Sequence, residues 1–463
     1  MSSLLQTTLD ETLACLPAAG VNELSALIDP VWIEQALAAT GKASIRRRKL
    51  PADHAVWLVI GLALFRHMPL WQVVQEMALT LDGQDLPVPS SSVQARQRLG
   101  PEPLAHLFRL LTDAWARAHP VHGKALRVLA VDGVVWSAPD SPLNRADLGS
   151  GQTQYGPQPW PMVRGVCLID TDSHELLDAQ LGNYHCGELT LAAQLRGLDH
   201  SITLFDRAYF SAAFLLDWHS AGAQRHWLMR ARDNLRHEIV QTLGEGDWLI
   251  RMPVSQRARQ LRPELPSHWQ ARLIQTRVGG RVRRFITSML DPQRFAADEL
   301  GQLYCQRWEI ELGFREIKQS LQQGQSVLRS KQPELVRQEV WGVLIAHTLL
   351  RRWMRLMAEH VGVEPVRISF HTAKHAIVGA LNTVHLARAG ALPQHLQQLL
   401  DQARYFVLPP RRPHRSFPRE VKQSTRSKYP TKNASQGLTD WHYPGGACCR
   451  HFKCCTIPAL NTA

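Results

Sequence analysis

The sequence predicts an α/β protein in which a mixed β-sheet is flanked by helices and interrupted by a β-rich insertion. Helix-type periodicity fills most of the region before residue 120 and returns after residue 298. Strand-type runs begin near residue 125, and residues 233–290 alternate apolar and polar positions between turn signals. We therefore expect a helical N-terminal region and a helical C-terminal region around the sheet.

The N-terminal helices are predicted from apolar residues at three- and four-residue spacing, punctuated by Ser, Asp or Pro. The segments are Val31–Ala39, Asp53–Arg66, Trp71–Leu81 and Ser91–Leu99. The last two flank a turn containing Pro87 and Pro89, an order that fits a helix-turn-helix motif. Its second helix would carry Arg96 and Arg98 to DNA. An ordinary helical pair with a solvated polar face explains the pattern equally well.

The central region reads as a β-β-β-α-β-α-β succession. The strands are Leu126–Trp136, Met162–Asp170, Glu175–Leu181, Ser201–Phe205 and Trp227–Arg230, and the helices are Leu189–Gly197 and Phe210–His219. Asp132 interrupts the first apolar strand, and Asp206 closes a short buried one. A carboxylate at such a place is costly unless it is paired or bound to metal, although many such Asp residues only cap a turn.

Residues 233–290 predict a β-rich insertion that hangs off the sheet. Its strands are Asp247–Pro253, Gln270–Val278 and Arg283–Leu290, and the helices after it are Asp298–Gln322, Glu334–Val361, Ser369–Leu381 and Pro393–Tyr405. The predicted units are a helical DNA-binding domain (1–120), a catalytic core (121–232 with 291–330), the insertion (233–290), a helical region (331–408) and a tail (409–463). The tail is rich in Pro, Lys and Arg, so we expect it to be disordered.

Composition narrows the function. The chain has 463 residues with 53 Lys and Arg against 40 Asp and Glu, and this formal charge of +13 favours a polyanionic partner such as nucleic acid. The longest apolar run, Ala55–Phe65, is short of the roughly 20 residues that span a membrane. The N-terminus lacks the pattern of a secretory signal, and eight Cys are too few for a disulfide scaffold. A cytoplasmic protein without a membrane partner is expected.

The most specific signal lies in Leu303–Gln319. On a helix with about 100° per residue, five polar residues share one stripe roughly 80° wide that borders the apolar face. They are Tyr304, Arg307, Glu311, Arg315 and Lys318. Cations suit phosphodiester oxygens and a carboxylate suits a metal ion. The alternative is an exposed, salt-bridged helix, which is our interpretation of Glu309 and Glu316, both away from the stripe.

The spacing Tyr304-x2-Arg307-x3-Glu311-x6-Lys318 resembles the Y-R-E-K signature of bacterial insertion-sequence transposases of the IS4 group. The resemblance extends to VDG at Asp132, to DRAYF at Asp206 and to the N-terminal SSVQARQRLG, and it covers roughly residues 20–430. These proteins are DDE enzymes with an RNase H-like catalytic core. The resemblance implies an RNase H-like mixed-sheet core here, interrupted by the β-rich insertion.

By the same resemblance, Asp132, Asp206 and Glu311 form the catalytic acidic triad and hold the metal. Three carboxylates meeting at a sheet edge suit two Mg²⁺ ions about 4 Å apart, with Mn²⁺ as a possible substitute. Tyr304, Arg307 and Lys318 are then expected to grip phosphates near the cleaved DNA end.

Further DNA contacts are expected around this centre. Arg315 belongs to the same stripe, and Trp308 beside it could stack on a base or pack in the core. In and beside the insertion, candidates are Arg230, Arg232, Arg236, Trp248 and Trp269. In the family, an insertion of this kind helps to hold the transposon end and to stabilise a DNA hairpin. For each tryptophan alone, core packing is the favoured interpretation.

The function expected from these features is metal-dependent cut-and-paste DNA transposition of an insertion sequence, by end cleavage, a hairpin intermediate and strand transfer. The partners are double-stranded DNA, as terminal inverted repeats and target, and a second copy of the chain in a synaptic homodimer at the bacterial nucleoid. Two alternatives stay open. One is a catalytically silent DNA-binding repressor, and the other is an RNase H-like nuclease that cuts branched DNA.

Overall fold

The computed structural model describes residues 28–43, 50–77, 79, 88–118, 126–153, 156–325, 327–384 and 392–410. The prediction of a disordered tail therefore falls almost wholly outside the described residues, as does the predicted turn at Pro87. Within the described part, no helix is both long enough and apolar enough to cross a bilayer.

Helices make up the N-terminal region, as the periodicity predicts. They are α1 (Pro30–Ala39), α2 (Ala52–Leu64), α3 (Leu70–Glu76), α4 (Pro89–Leu99) and α5 (Glu102–Ala118). Asp29 caps α1 by accepting a hydrogen bond from the amide of Val31. Helix α2 is buried from His54 to its last residue because its residues are almost all apolar.

The central region contains the first strands and three short helices. These elements are β1 (Arg127–Ser137), α6 (Pro142–Leu148), β2 (Gln152–Thr153), β3 (Gly156–Pro157), β4 (Met162–Asp170), β5 (Leu176–Asn183), α7 (Glu188–Ala192), β6 (Ser201–Phe205), α8 (Ala212–Ser220) and β7 (Arg225–Arg230). A 3₁₀ turn, Arg207–Tyr209, follows β6. The predicted strand order along the chain is confirmed here, whereas α6 was not predicted.

The insertion is β-rich, as expected, and its strands continue the central sheet. Its elements are β8 (Glu238–Gly244), β9 (Asp247–Pro253), α9 (Gln256–Leu261), β10 (His268–Val278) and β11 (Arg281–Thr287). Strand β11 pairs antiparallel with β7, so one sheet runs in the order β5-β4-β1-β6-β7-β11-β10-β9-β8. The backbone edge that β7 would otherwise expose is thereby hydrogen-bonded.

Strand pairing within this sheet is mixed. β1 pairs in parallel with β6, and β6 with β7, while β1 and β4 are antiparallel. Alternate residues of β1 face opposite sides: Val128 and Ala130 join one apolar core, and Leu129 and Val131 join the other. The described residues thus fold as a large mixed sheet with a helical layer on both sides.

The long helix predicted over Asp298–Gln322 is broken. It divides into α10 (Ala297–Leu303), a 3₁₀ turn (Tyr304–Arg307), α11 (Trp308–Arg315) and a π-helical turn (Glu316–Leu321). The chain continues through α12 (Pro333–Val361), α13 (Phe370–Val384) and α14 (Leu392–Gln402). Because the helix type changes twice, a single angular step per residue does not describe its stripe.

Candidate active site

Two of the predicted acidic residues are placed together by the parallel pairing of β1 and β6. The register pairs Val131 with Phe205, the last residue of β6, so Asp132 is the next residue of β1 and Asp206 is the first residue after β6. Strand β1 runs on to Ser137 beyond this point, whereas β6 ends. The Asp206 side chain then caps the 3₁₀ turn by accepting a hydrogen bond of 3.0 Å from the amide of Ala208.

The third acidic residue is joined to the first by one guanidinium group. Arg307, just before α11, donates a hydrogen bond of 2.9 Å to Glu311 and lies 3.4 Å from a carboxylate oxygen of Asp132. Arg307 and Asp132 are 175 positions apart in the sequence. One side chain therefore contacts a carboxylate from the sheet and a carboxylate from the helix at the same time.

Asp132 is electrostatically unusual. Burial raises its pKa from 3.8 to about 6, against the lowering effects of the hydrogen bond from the Gly133 amide and of the charge of Arg307. The charges of Glu188 and Glu311 raise it further. A cation that binds beside a carboxyl group with a raised pKa stabilises its ionised form.

Tyr304 also lies at this end of the sheet. Its hydroxyl donates a hydrogen bond of 3.1 Å to the carbonyl of Phe205, the residue before Asp206. Burial raises the pKa of Tyr304 to about 12, although the charges of Arg307 and Arg230 act in the opposite direction. Arg230, exposed at the end of β7, is close enough to Tyr304 to influence its hydroxyl, and its contact with DNA stays a prediction.

Two further members of the predicted stripe, and Trp308 beside it, face solvent. Arg315 and Lys318 are exposed, and Trp308 is 44 % exposed, so it is not a core residue. In the described part of the chain, no contact joins Arg315 or Lys318 to the acidic residues. Lys318 lies in the π-helical turn, where the α-helical step of about 100° per residue does not apply, and its contact with DNA stays a prediction.

The prediction that Arg96 contacts DNA needs correction. Its side chain is buried between α4 and α12, where it donates to Gln338 at 2.9 Å and to Ser330 at 3.1 Å. Arg96 is therefore a packing residue in this structure, and the helical pair uses it for internal contacts. Arg98, two residues on, is exposed, so a DNA contact by Arg98 remains a proposal.

In the insertion, the two tryptophans differ. Trp269 is buried and packs against Trp227 with ring centroids 5.8 Å apart, so the packing interpretation is confirmed and a wedge against a base is wrong here. Trp248 is half-buried. Arg236 is exposed, while Arg232 stacks on the ring of Phe210 at 4.9 Å.

Glu309 and Glu316 are not the exposed salt-bridged residues that the sequence suggests. The His174 ring lies between them, with Nε2 2.9 Å from a Glu309 oxygen and Nδ1 3.1 Å from a Glu316 oxygen, and Arg351 of α12 donates to Glu316 at 2.9 Å. Burial alone would raise the pKa of Glu316, but the charges of Arg351 and His174 outweigh it and hold that pKa well below its usual range. This buried network anchors the back of the helical segment.

Sequence reasoning also missed Glu188, the first residue of α7. A Cβ atom at Gly133 would lie 2.5 Å from the Glu188 carboxyl carbon, so this carboxylate sits directly over the backbone next to Asp132. Gly133 does not have a positive φ, so the glycine is needed here for space. The glycine of the VDG motif was the available signal, but a sequence does not say which side chain fills the gap.

The site suits divalent cations in its donor chemistry. Its acidic side chains supply oxygen ligands, which Mg²⁺ and Mn²⁺ prefer. Among the described residues, however, no three His, Cys, Asp or Glu side chains are close enough to hold one ion as arranged, because the Arg307 guanidinium lies between Asp132 and Glu311. Tyr209 adds a buried hydroxyl that has no hydrogen-bond partner within the described chain.

Comparison with protein-family models gives two matches. Residues 18–109 match the model described as the N-terminal region of the insertion element 4 transposase, and residues 123–349 match the transposase DDE domain. The second match includes the strands that carry Asp132 and Asp206 and the helix that carries Glu311.

Curated relatives agree with these models. The chain is 39 % identical over 416 residues to the transposase InsG for insertion sequence element IS4 of Escherichia coli (strain K12), covering 89 % of this chain and 94 % of the relative. It is 34 % identical over 226 residues to the putative transposase InsZ of the same organism, covering 45 % of this chain and 71 % of that protein.

Among solved structures, the cryo-EM structure of the piggyBac transposase synaptic complex with hairpin DNA matches 83 % of each chain, at 9 % identity and a TM-score of 0.38. A likeness this distant supports no argument about the present chain. The two family models and the near full-length identity to InsG do: this protein belongs to the IS4 family of insertion-sequence DDE transposases.

Proposed function

We propose that the protein excises and inserts an insertion-sequence element by metal-dependent cut-and-paste chemistry on DNA. The observation that carries the proposal is the bridge from Arg307 to both Asp132 and Glu311, with Asp206 on the adjacent strand end. Acidic residues from two strands and a helix thus share one edge of the sheet. The family of the chain supports DNA as the substrate.

In this proposal, Asp132, Asp206 and Glu311 hold two divalent ions, Mg²⁺ or in its place Mn²⁺. When bound, such ions activate the attacking oxygen and stabilise the leaving oxygen of a phosphodiester. Asp132 is suited to this role because burial makes its negative charge costly until a cation is present.

The basic residues position the DNA strand. Arg307 is the nearest cation to the acids, and a phosphate that accepts its guanidinium hydrogen bonds would release Asp132 and Glu311 for metal. Tyr304 and Arg230 flank Asp206, and Lys318, Arg315 and Arg98 are exposed cations that extend the DNA contact.

We further propose that two copies of the chain pair the terminal inverted repeats in one synaptic complex at the bacterial nucleoid, and that each end passes through a hairpin before strand transfer. The proposal of a hairpin comes from the family resemblance and from the insertion, whose strands extend the sheet directly from the Arg230 edge.

The test uses the full chain, its own element ends and Mg²⁺. Specific end cleavage is expected for the wild type, and Glu311→Gln and Asp132→Asn should each lower its rate by at least about 10²–10³-fold, as for loss of a charged group at a phosphoryl-transfer site. Both variants should still bind the ends in EDTA.

The outcomes separate the open alternatives. Wild-type binding to the ends without cleavage would indicate a repressor, and cleavage without regard to end sequence would indicate a nuclease. Glu334→Gln is the matched control, because Glu334 is an exposed residue paired with Arg337 on α12. Its cleavage rate should equal that of the wild type.

A further inference from the structure

The β4–β5 turn, residues 171–175, is polar and yet buried. Ser173 is fully buried, and His174 and Glu175 are each only 2 % exposed. Turns normally lie at the protein surface, where water satisfies their polar groups. A buried polar turn is stable only where the protein supplies hydrogen-bond partners instead. The identity of those partners therefore indicates what this turn holds in place.

One set of partners lies on the helical segment of the candidate site. The hydroxyl oxygen of Thr171 is 3.1 Å from the side-chain oxygen of Gln306. The two ring nitrogens of His174 lie 2.9 Å from a Glu309 oxygen and 3.1 Å from a Glu316 oxygen. Two side chains of the turn thus contact the segment at three places along its length.

The contacted face of α11 is the one opposite Glu311. Glu309 and Gly313 are four residues apart on this helix, and a Cβ atom at Gly313 would lie 3.9 Å from the Cβ of His174. Glu311 is two residues from each of them, which places it about 160° away around an α-helix. Its carboxylate accepts a hydrogen bond from Arg307 instead. The β4–β5 turn therefore contacts the rear of the helix whose front carries Glu311.

The β4–β5 turn is itself attached to β1 and to α12. The amide of Thr171 donates to the carbonyl of Val128 in β1 at 3.1 Å. From α12, Arg355 donates two hydrogen bonds to the Glu175 carboxylate, at 2.9 and 3.0 Å. Because β1 also carries Asp132, the turn joins the strand of one candidate catalytic residue to the helix of another.

His174 has an uncommon backbone conformation for a residue with a side chain. Its φ is 59°, in the left-handed region. A residue other than glycine persists there where the surrounding contacts over-determine it. Glycine would adopt this φ without strain, so the backbone does not require a histidine. The imidazole ring supplies what glycine lacks, which is a nitrogen on each of two edges.

We propose that the β4–β5 turn positions Glu311, with His174 and Thr171 as positioning residues that set the rotation of α11. This inference rests on the proposed function, in which Glu311 is a catalytic residue. His174 acts at Glu309 and Glu316, which lie on either side of Glu311 along the chain. Without these contacts the helix loses what sets its rotation, and a displacement of about 1 Å near a reacting group costs on the order of 10²-fold in rate.

The first test separates cleavage from binding in His174→Asn. Asparagine tolerates the left-handed backbone but is too short to contact both carboxylates. The full chain, in excess over duplex DNA of its own element end, is mixed with Mg²⁺, and the single-turnover cleavage rate is measured beside the affinity for that DNA. The rate should fall about 10–100-fold while the affinity stays within about twofold, because the turn is buried. A wild-type rate, or a loss of affinity that accounts for the slower cleavage, would overturn the inference.

Leu399→Ala controls for lost stability. Leu399 is buried in α14, and truncating a buried leucine destabilises a protein without changing its polar contacts. Thermal unfolding of both variants identifies an assay temperature at which each is folded. At that temperature Leu399→Ala should cleave at the wild-type rate. A loss as large as that in His174→Asn would assign the effect to stability and contradict positioning.

The second contact is tested by a matched pair of variants at Thr171. Thr171→Val keeps the shape of the side chain but removes its hydroxyl, and should slow cleavage about 3–10-fold, as for the loss of one hydrogen bond. Thr171→Ser restores the hydroxyl and should recover most of that rate. If the two variants cleave equally fast, Thr171 is not a positioning residue.

Combining His174→Asn with Glu311→Gln distinguishes the inference from the function beneath it. If Glu311 is the residue that the turn positions, the double variant should cleave no more slowly than Glu311→Gln alone. A further loss as large as that in His174→Asn alone would mean that the turn acts on something else. If Glu311→Gln alone cleaves like the wild type, the proposed function fails together with the inference. If Glu311→Gln is inactive while His174→Asn is not slowed, only the inference fails.

Discussion

One helical segment, residues 304–321, carries two clusters of carboxylates and arginine that behave in opposite ways. The front cluster is Glu311 with Arg307 and Asp132, and the back cluster is Glu316 with Arg351 and His174. Each pairs a glutamate with an arginine, and the front cluster adds an aspartate where the back cluster adds a histidine. They differ in burial and in how many of their charged groups have hydrogen-bond or ion-pair partners.

The front cluster is partly exposed to solvent, and its two carboxylates share one guanidinium group. The side chain of Glu311 is 35 % exposed, and the pKa of Asp132 is raised to about 6, so one guanidinium does not satisfy both acids. In the back cluster, Glu316 is mostly buried and accepts hydrogen bonds from Arg351, His174 and His347, and its pKa is lowered. We infer that the completed cluster fixes the helix and the incomplete one is left for a substrate.

The largest expected difference between the clusters is in stability. Glu316→Ala leaves the buried Arg351 guanidinium unpaired and should lower the free energy of unfolding by about 3–5 kcal/mol. Glu311→Ala removes a partly exposed i,i+4 pair and should cost about 0.5 kcal/mol or less. Urea unfolding of both variants measures this. Equal losses would remove the distinction between the two clusters.

A second expected difference is in pH dependence. The pKa of Glu316 is lowered on folding, so the unfolded chain takes up its proton first as the pH falls. The stabilisation from Glu316 is therefore complete above its usual value of 4.5 and is lost as the pH falls through the lower, folded-state value. The destabilisation by Glu316→Gln should be large at pH 6 and shrink below pH 4.5. A gap that is constant with pH would mean that the charge of Glu316 is not what stabilises the helix.

The smallest expected effect concerns DNA binding by Arg307 of the front cluster and by the exposed Lys318. Arg307→Ala and Lys318→Ala should each reduce the slope of log affinity against log salt by about one unit, because each removes one phosphate contact. Arg262→Ala is the control, since Asp217 and Glu264 already pair with that guanidinium. Filter binding at several salt concentrations gives the slopes. An unchanged slope for Arg307→Ala would assign that residue to the internal ion pair alone.

Much of the fold follows from the sequence because its signals are local. Strands β4, β6 and β9 begin at the predicted residues, because apolar runs bounded by turn residues define them. The insertion was expected at the right place along the chain, but the strand with which it pairs was not predicted. Its pairing with β7 joins Phe285 to Arg230, a contact between distant segments that neither strand's own pattern encodes.

In the candidate site too, local spacing was predicted from the sequence and long-range contacts were not. The spacing of Tyr304, Arg307 and Glu311 within one segment was readable, and the structure brings these three to Asp132 and Asp206. The outward position of Lys318 depends on the π-helical turn, and periodicity cannot foresee a change of helix type. Arg96 and Glu316 are buried by contacts with α12 residues more than 30 positions away. The sequence around each residue does not reveal these contacts, so both charged side chains were expected to be exposed.

The continuity of the sheet through β11 constrains any attempt to make a smaller version of this protein. Replacing residues 238–287 by a short loop would remove the antiparallel neighbour of β7 and leave a row of unpaired amides and carbonyls beside the site. Such a bare edge recruits strands from other molecules. A shortened chain would therefore aggregate before its chemistry could be assayed, unless charged or proline residues were introduced to protect that edge.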